Sequence, residues 1–347
     1  MCGRPGAASG CWPTPSAATA VALPPTWTSR RHEVRKLMHI LRVMAFVLIF
    51  NGSALLIAQQ TAPRPVPTAA WAPKPLKPPA YRPGLKPWVK LADLKAKHKG
   101  QANWRDVIAD DGRLVAEYHA AAPGSKVSKR FHPDTRAWFA VVEGEVRVEI
   151  EGQEPFTATR GSLINIPRQT IYALETIGTA PSVRFTLNVS GAKTIFPKDA
   201  EPPPAAAPGT AWTEVRINRT PGQYDQFNQP HVNIHIEAAK NEKYSGGRFV
   251  RDDKSEMLVL YGHEKNLPPL DPADRGHFHA ESAEMWLVFS GKIRYSVEGQ
   301  QPFIASEGDV VYVPAGTWHA TRYIGDHSCR LSITEYVGNA LLLPPQP

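Results

Sequence analysis

Cysteine is scarce in this chain, and its placement excludes a fold held by disulfides. The sequence has three cysteines in 347 residues, and two of them, Cys2 and Cys11, lie in an unusual leader. Cys329 alone remains in the later part of the chain, so no intrachain disulfide can form there. We interpret Cys329 as a small core residue on a strand rather than as a nucleophile.

An excess of positive charge is also missing from the part of the chain that should fold. Twelve of the 40 Lys and Arg residues lie before residue 91, against the single acid Glu33, so residues 91–347 carry 28 basic and 31 acidic side chains. A nearly neutral domain region offers no basic face, and we expect no nucleic-acid partner.

The sequence also lacks a comfortable membrane span. The apolar run at 43–58, VMAFVLIFNGSALLIA, is short and is interrupted by Asn51, Gly52 and Ser53. It follows a weakly positive head and has the length of a signal-peptide core, so we predict a signal peptide at 38–58 and export to the periplasm or the medium. An uncleaved segment that anchors the chain to a membrane is the alternative, and Arg30-Arg31 leaves a twin-arginine export route open.

Proline-rich segments divide the chain into its predicted parts. Residues 1–37 lack apolar periodicity, and we interpret them as a non-native or disordered leader ahead of a start at Met38. Proline density excludes helices and central strands from residues 59–90 and 196–211. We predict a solvated basic tether at 59–90, with contact to an acidic surface as the alternative, and a linker at 196–211. Folded domains then span 91–195 and 212–347.

Short β-rich runs fill the first domain after a helix-like segment, LADLKAKH. The runs are bounded by Gly, Pro and charged turns, and they read RLVAEYHA, WFAVV, EVRVEIE, SLINIP and VRFTLNV. This pattern predicts an all-β domain, either an antiparallel sandwich or a barrel.

A pattern of histidines and one carboxylate lies between residues 277 and 319. His277 and His279 are separated by one residue, so on an extended strand both imidazoles point the same way, roughly 6–7 Å apart at their origins. Glu284 opens the next apolar run, and a turn containing Gly316 delivers His319 to another strand. Three imidazoles and one carboxylate that converge in a barrel interior predict a site for a divalent first-row metal.

These residues resemble the two motifs of the cupin superfamily. The first motif, G-x5-H-x-H-x3–4-E-x6-G, is matched by His277, His279, Glu284 and Gly291, and the second, G-x5-P-x-G-x2-H-x3-N, by Gly308, Pro314, Gly316 and His319. Asp271 replaces the first glycine and Tyr323 the last asparagine, and neither position is a metal ligand. The resemblance implies a double-stranded β-helix, or jelly-roll, barrel.

An internal repeat extends this fold to the first domain. A shift of 147 residues aligns Gly144 with Gly291, Gly161 with Gly308, and Pro167 with Pro314. We therefore predict an all-β chain with two tandem cupin barrels behind the signal peptide and tether, a bicupin.

The same alignment predicts that the first barrel has lost its metal. Of the four ligand positions only His279 has a matching residue, His132; the other three counterparts are Arg130, Ala137 and Tyr172. We interpret His132 as a hydrogen-bonded structural residue. The alternative is a site in which Arg130 and Tyr172 receive a carboxylate ligand.

The resemblance to cupins implies a cofactor and a range of chemistry. One divalent transition metal, manganese, iron, zinc, nickel or copper, would leave room for a substrate, and cupins with this ligand set include dioxygenases, oxalate-degrading enzymes and binding proteins. We expect an exported oxidoreductase or decarboxylase that acts on a small oxygenated molecule. The alternative is a non-catalytic binder or sensor of a sugar acid or another small carboxylate.

Further residues are candidates for the pocket of the second barrel. Tyr323 lies four residues beyond His319, and Glu281 lies in the loop between the ligands, so we assign both as candidate catalytic residues. Trp286 shares the face of Glu284, whereas Phe278 should point into the core. A small-molecule substrate is the expected partner, with contact to a membrane only through an uncleaved signal segment, and a homodimer is possible.

The stretch HVNIHIE at 231–237 alternates polar and apolar residues. This period of two predicts a strand whose polar face carries His231, Asn233, His235 and Glu237. We interpret that face as the solvent-facing side of an outer strand, with a second metal site as the alternative.

Overall fold

The computed structural model describes residue 66 and residues 68–200, 204–335 and 340–344. The predicted leader and the predicted signal peptide at 38–58 lie outside these residues. From Ala69 onward the chain forms one unit, to which all elements below belong. Within the described ranges, no helix combines the length and the apolar character that crossing a bilayer requires.

Barrel 1 is built from β-strands that follow a short strand and one helix. In chain order these elements are β1 (Trp88–Val89), α1 (Leu91–Lys97), β2 (Trp104–Asp110), β3 (Leu114–Ala121), β4 (Lys126–Arg130), β5 (Ala137–Glu143), β6 (Glu145–Ile150), β7 (Phe156–Thr159), β8 (Ser162–Ile166), β9 (Tyr172–Ile177) and β10 (Ser182–Val189). Two sheets result, one with the order β4-β9-β6-β7 and one that contains β8-β5-β10-β3-β2. The predicted helix and the five predicted strands are confirmed.

Barrel 2 has strands that correspond to those of barrel 1, but its longer strands join them into one sheet. Its elements are β11 (His231–Asn233), α2 (Ile234–Lys240), β12 (Gly246–Arg251), β13 (Glu256–Gly262), a 3₁₀ turn (Glu264–Asn266), β14 (Glu284–Val297), β15 (Phe303–Ser306), β16 (Val310–Val313) and β17 (His319–Thr334). A seven-stranded sheet joins β1, β16, β14, β17, β13 and β12 in that order, with β15 paired to β14. The all-β architecture of two tandem jelly-roll barrels is therefore confirmed.

The repeat of 147 residues is visible in the strand register. Strand β14 spans the positions of β5 and β6 together, and the glycine at the junction has φ +69° in Gly291 and φ +73° in Gly144. A Cβ at Gly144 would lie 2.7 Å from the carbonyl oxygen of Pro181, so both conformation and space require glycine. The bridge between Phe131 and Ile195 recurs, 147 residues later, between Phe278 and Leu342.

Both faces of the central strands are buried, which explains their continuous apolar runs. Along β14, Met285 and Leu287 pack in a core shared by the two barrels, whereas Trp286 and Val288 lie inside barrel 2. The same alternation along β5 separates the shared core from the interior of barrel 1. Each large apolar side chain that is fully buried contributes about 1.5–3 kcal/mol, so the shared core holds the barrels together.

Each barrel receives a strand from the segment that precedes the other barrel. Strand β1, from the tether region, pairs with β16 of barrel 2, at Trp88 opposite Val311 and Val89 opposite Val310. Strand β11, which follows the linker, pairs with β8 of barrel 1. Both exchanged strands cover a sheet edge that would otherwise present unpaired backbone groups.

The end of the tether is not a solvated spacer, which corrects the sequence interpretation for these residues. Lys74 pairs with Glu298 at 2.8 Å, the hydroxyl of Tyr81 donates to the carbonyl of Tyr312 at 3.0 Å, and Leu85 is buried. Proline excludes helices and central strands but leaves an extended chain free to add an edge strand and to lie along a neighbouring surface. The predicted segment boundaries themselves stay predictions.

The strand predicted at 231–237 is wrong in its second half. Asn233 ends β11 and caps α2, because its side chain accepts a hydrogen bond from the backbone of Ile236 at 3.1 Å. His235 and Glu237 therefore lie on a helix, and Asn233 is buried rather than solvent-facing. The sequence signal for a helix start was Asn233, a favourable N-cap residue, with the helix-favouring residues Glu237, Ala238 and Ala239 after one turn.

Candidate metal centre

A backbone bridge places the first and last histidines of the cluster side by side. The amides and carbonyls of His277 and His319 exchange two hydrogen bonds, at 3.0 and 2.9 Å. Gly276, immediately before this bridge, has φ +69°, and a Cβ there would lie 2.0 Å from the carbonyl oxygen of His319. Glycine is therefore required for the two segments to approach this closely.

The structure brings together all four side chains predicted as ligands. One donor atom from each of His277, His279, Glu284 and His319 lies within 4.8 Å of the others. The Nε2 atoms of His279, His319 and His277 lie 2.8, 3.2 and 3.7 Å from Oε2 of Glu284. Donors about 2.0–2.2 Å from one ion are about 3 Å apart when adjacent, so this set could hold a metal ion.

Hydrogen bonds on the far side of the ligands orient them. Nδ1 of His279 donates to the carbonyl of Ala340 at 3.0 Å, and Nδ1 of His319 donates to the carbonyl of Thr317 at 2.9 Å. A proton on Nδ1 leaves the Nε2 lone pair free, and Nε2 is the atom that faces the cluster. The hydroxyl of Ser332 donates to Oε1 of Glu284, which leaves Oε2 for the metal.

The electrostatics of the cluster also fit a cation. His279, Glu284 and His319 are 3%, 6% and 2% exposed. Burial alone would raise the pKa of Glu284, but the three imidazoles around its carboxylate outweigh burial and hold that pKa well below its usual value. Nε2 of His319 faces Nε2 of His277 at 3.1 Å, a contact that a proton on one nitrogen or a cation bound by both would stabilise.

Unpartnered donors lie in the barrel beside the ligands. The indole ring of Trp286 lies 5.1 Å from the ring of His319, and the ring of Tyr295 lies 5.3 Å from that of Trp286. The Trp286 Nε1, the Tyr295 hydroxyl and the Arg330 Nε are buried without a hydrogen-bond partner among the described residues. Arg330 is close enough to act on the pKa of Tyr295. Buried donors of this kind point to an absent acceptor.

The two candidate catalytic residues occupy different environments. Tyr323 is half-buried beside the apolar interior of barrel 2, and the guanidinium of Arg330 lies 5.5 Å from its ring centroid. Glu281 is exposed, and its carbonyl accepts a hydrogen bond from Arg113 at 3.3 Å. Their catalytic roles stay predictions. Phe278 is buried against Trp318, as predicted.

Barrel 1 presents different residues at the equivalent positions. Arg130 lies opposite Tyr172 in the sheet, as His277 lies opposite His319. Nδ1 of His132 donates to the carbonyl of Lys193 at 2.9 Å, and its Nε2 lies 3.3 Å from the Tyr172 hydroxyl. The bond of His132 to Lys193 corresponds to the bond of His279 to Ala340 in barrel 2, whereas its contact with Tyr172 has no counterpart there. His132 is thus hydrogen-bonded, as predicted.

Sequence reasoning missed Ser332 and Arg330. Both belong to the stretch RLSIT on β17, where polar residues alternate with Leu331 and Ile333 of the shared core. This alternation in the sequence indicates that Arg330 and Ser332 lie on the face opposite Leu331 and Ile333, towards the barrel interior.

Comparisons with known proteins agree with the repeat. Two regions of the chain, residues 118–189 and 265–335, match the cupin domain family. No curated protein matches the sequence. Similar solved structures include a Cupin 2 conserved barrel domain protein from Leptotrichia buccalis, with 14% identity and a TM-score of 0.49 over 72% of this chain and 95% of that chain. A deletion mutant of Bacillus subtilis oxalate decarboxylase has 14% identity and a TM-score of 0.46 over 78% of this chain and 81% of that chain.

Proposed function

We propose that this chain, two regions of which match the cupin domain family, is a bicupin whose barrel 2 is a metal-dependent oxidoreductase or decarboxylase acting on a small oxygenated molecule. The observation that carries the proposal is the cluster of His277, His279, Glu284 and His319 next to buried donors that lack partners. A purely structural metal site has all its coordination positions filled by protein, whereas these donors are polar groups that a second ligand could satisfy.

The metal would supply Lewis-acid or redox chemistry to a ligand in its one or two remaining coordination positions. His277, His279, Glu284 and His319 would hold it, and manganese, iron, zinc, nickel and copper all accept this donor set. Ser332 keeps the carboxylate of Glu284 in one orientation.

The neighbouring residues of this chain would bind and orient the substrate. Arg330 supplies a fixed positive charge, and Trp286 and Tyr295 supply neutral donors. Burial raises the pKa of Tyr295, so its phenol keeps its proton at neutral pH and can donate it in a hydrogen bond. A cation and two donors in an apolar barrel favour a substrate with a carboxylate or another oxygen-rich group.

Metal analysis followed by turnover assays tests this function. Protein purified with each of the five metals would be assayed for oxygen consumption and for carbon dioxide release from small carboxylates and phenols. We expect turnover with one metal and its loss in His319→Ala. The control is His263→Ala, a histidine of barrel 2 that contacts His327 instead of the cluster. Tight ligand binding without turnover under every metal would assign the protein to the alternative class, a non-catalytic binder of small carboxylates.

We also propose that the protein is exported and that the segment at 38–58 is removed. The support is the apolar run at 43–58 and the small residue Ala58 at its end. Amino-terminal sequencing of protein from the periplasm or the medium should then begin at Gln59. Full-length chains in the membrane fraction would indicate an anchor instead. The homodimer stays a prediction, which sedimentation of the purified protein would test.

A further inference from the structure

Barrel 1 contains a buried arginine without a counter-ion. Arg184 lies on β10 and is 5% exposed. Its Nε is fully buried and has no hydrogen-bond partner among the described residues. Buried arginines are ordinarily paired with a carboxylate, so this side chain needs an explanation.

The direction of Arg184 follows from its neighbours on β10. Val183, Phe185 and Leu187 face the core shared by the barrels. Alternation along a strand then turns Arg184 to the opposite face, into barrel 1. There it is close enough for its charge to interact with Arg130 and Tyr172.

A second guanidinium lies in the same interior. Arg130 donates to the carbonyl and the hydroxyl of Ser128, at 3.0 and 3.2 Å, and lies over the ring of Phe196 at 5.0 Å. Neither Arg130 nor Arg184 forms an ion pair with a carboxylate in the described part of the chain. Two cations in one apolar interior repel each other and lose hydration, which is costly unless an anion joins them.

The pKa directions agree with this geometry. Burial, together with the charge of Arg130, lowers the pKa of Arg184 to about 10. Burial also lowers the pKa of Arg130. Arg184 still carries its charge at neutral pH, so the interior remains positive.

We propose that barrel 1 binds a small organic carboxylate between the guanidinium groups of Arg130 and Arg184. The apolar side chains of Val127, Phe139 and Val141 line this interior and would contact the organic part of the ligand. Planar guanidinium forks match carboxylate oxygens, and the bond between His132 and Tyr172 holds the adjacent wall in place. Barrel 1 is then a ligand-binding domain rather than a domain that has lost its function. This proposal for barrel 1 does not depend on whether barrel 2 is an enzyme.

Calorimetry on the full chain tests the proposal with acetate, succinate and benzoate as probes. Acetamide, succinamide and benzamide serve as neutral analogues of similar shape. All titrations use the His319→Ala variant, which weakens binding at the metal centre, and the comparison with Arg184→Met assigns the remaining signal to barrel 1. At least one carboxylate should bind, and its amide should not. Arg184→Met should weaken that binding about tenfold or more, because a charge-assisted hydrogen bond is lost.

A second readout separates a binding role from a structural one. Without ligand, Arg184→Met should raise the melting temperature, because an unpaired buried charge is replaced by an apolar side chain of similar length. With ligand, the same variant should lose the stabilisation that the carboxylate gives the parent protein. Arg147→Met, on the exposed face of barrel 1, is the matched control and should keep binding. Arg130→Gln provides a second test of the site at a less buried position.

Several results would overturn the proposal. These are failure of all three carboxylates to bind, equal binding of the amides, or unchanged binding in both Arg184→Met and Arg130→Gln. Tighter binding of inorganic phosphate than of any carboxylate would remove the organic ligand from the proposal. A fall in melting temperature, or loss of folding, in Arg184→Met would mean that Arg184 is structural.

Discussion

Ser332→Ala should weaken metal binding without removing a ligand. The Ser332 hydroxyl donates to Oε1 of Glu284, a carboxylate that is 6% exposed. A hydrogen bond to a charged group contributes about 1.5–3 kcal/mol, which corresponds to about one to two decades in affinity. Removal of a residue that orients a metal ligand typically costs about 10–100-fold, so both arguments lead to the same range.

The assay is competition for the metal with a chelator of known affinity. Ser290→Ala is the matched control, because Ser290 lies on the neighbouring strand of the same barrel and bonds to the carbonyl of His327 at 3.2 Å. We expect wild-type affinity in Ser290→Ala and about 10–100-fold weaker binding in Ser332→Ala, with the metal still bound in one equivalent. Unchanged affinity in Ser332→Ala would refute the reasoning that this hydroxyl orients Glu284.

Three further predictions concern stability and reactivity. Trp88→Ala should lower the free energy of unfolding, measured by urea titration, by about 2 kcal/mol or more, because β1 loses the stacking of Trp88 on Phe303 of barrel 2. Trp71→Ala, at an exposed position, should leave the free energy of unfolding unchanged. Gly276→Ala should lower the free energy of unfolding by about 1–3 kcal/mol because of its positive φ, and by more because the new Cβ would contact backbone atoms. Gly84→Ala, with φ +88° and no neighbouring atoms, should show only the cost of the positive φ. Equal losses in the two variants would contradict the close approach at Gly276. With the two leader cysteines replaced by serine, Cys329 should react slowly with thiol reagents at pH 8, because burial raises its pKa to about 12. Rapid labelling of the folded chain would show that Cys329 is accessible and would contradict this prediction.

The metal cluster was predictable because its determinants are local. The spacing of His277 and His279 sets their common direction through strand alternation alone. The repeat of 147 residues then predicted that only the second barrel keeps all four candidate ligands. The strand register agrees with this alignment, since Arg130 and Tyr172 face each other where His277 and His319 do.

The stretch at 231–237 shows where local patterns stop being sufficient. Its alternation is satisfied for three residues as β11, after which Asn233 caps a helix. A period of two over seven residues is compatible with either outcome, and β11 ends at Asn233, opposite Ser162, the first residue of β8.

The sequence by itself determined the all-β class, the two barrels and the four residues that could hold a metal, because turn residues, strand periodicity and repeats are written in neighbouring positions. Only the tertiary structure decided that the tether supplies a strand to barrel 2, that Ser332 orients Glu284, and that Arg184 is buried without a counter-ion. These features depend on which distant segments meet, and the burial of a side chain is a property of what surrounds it after folding.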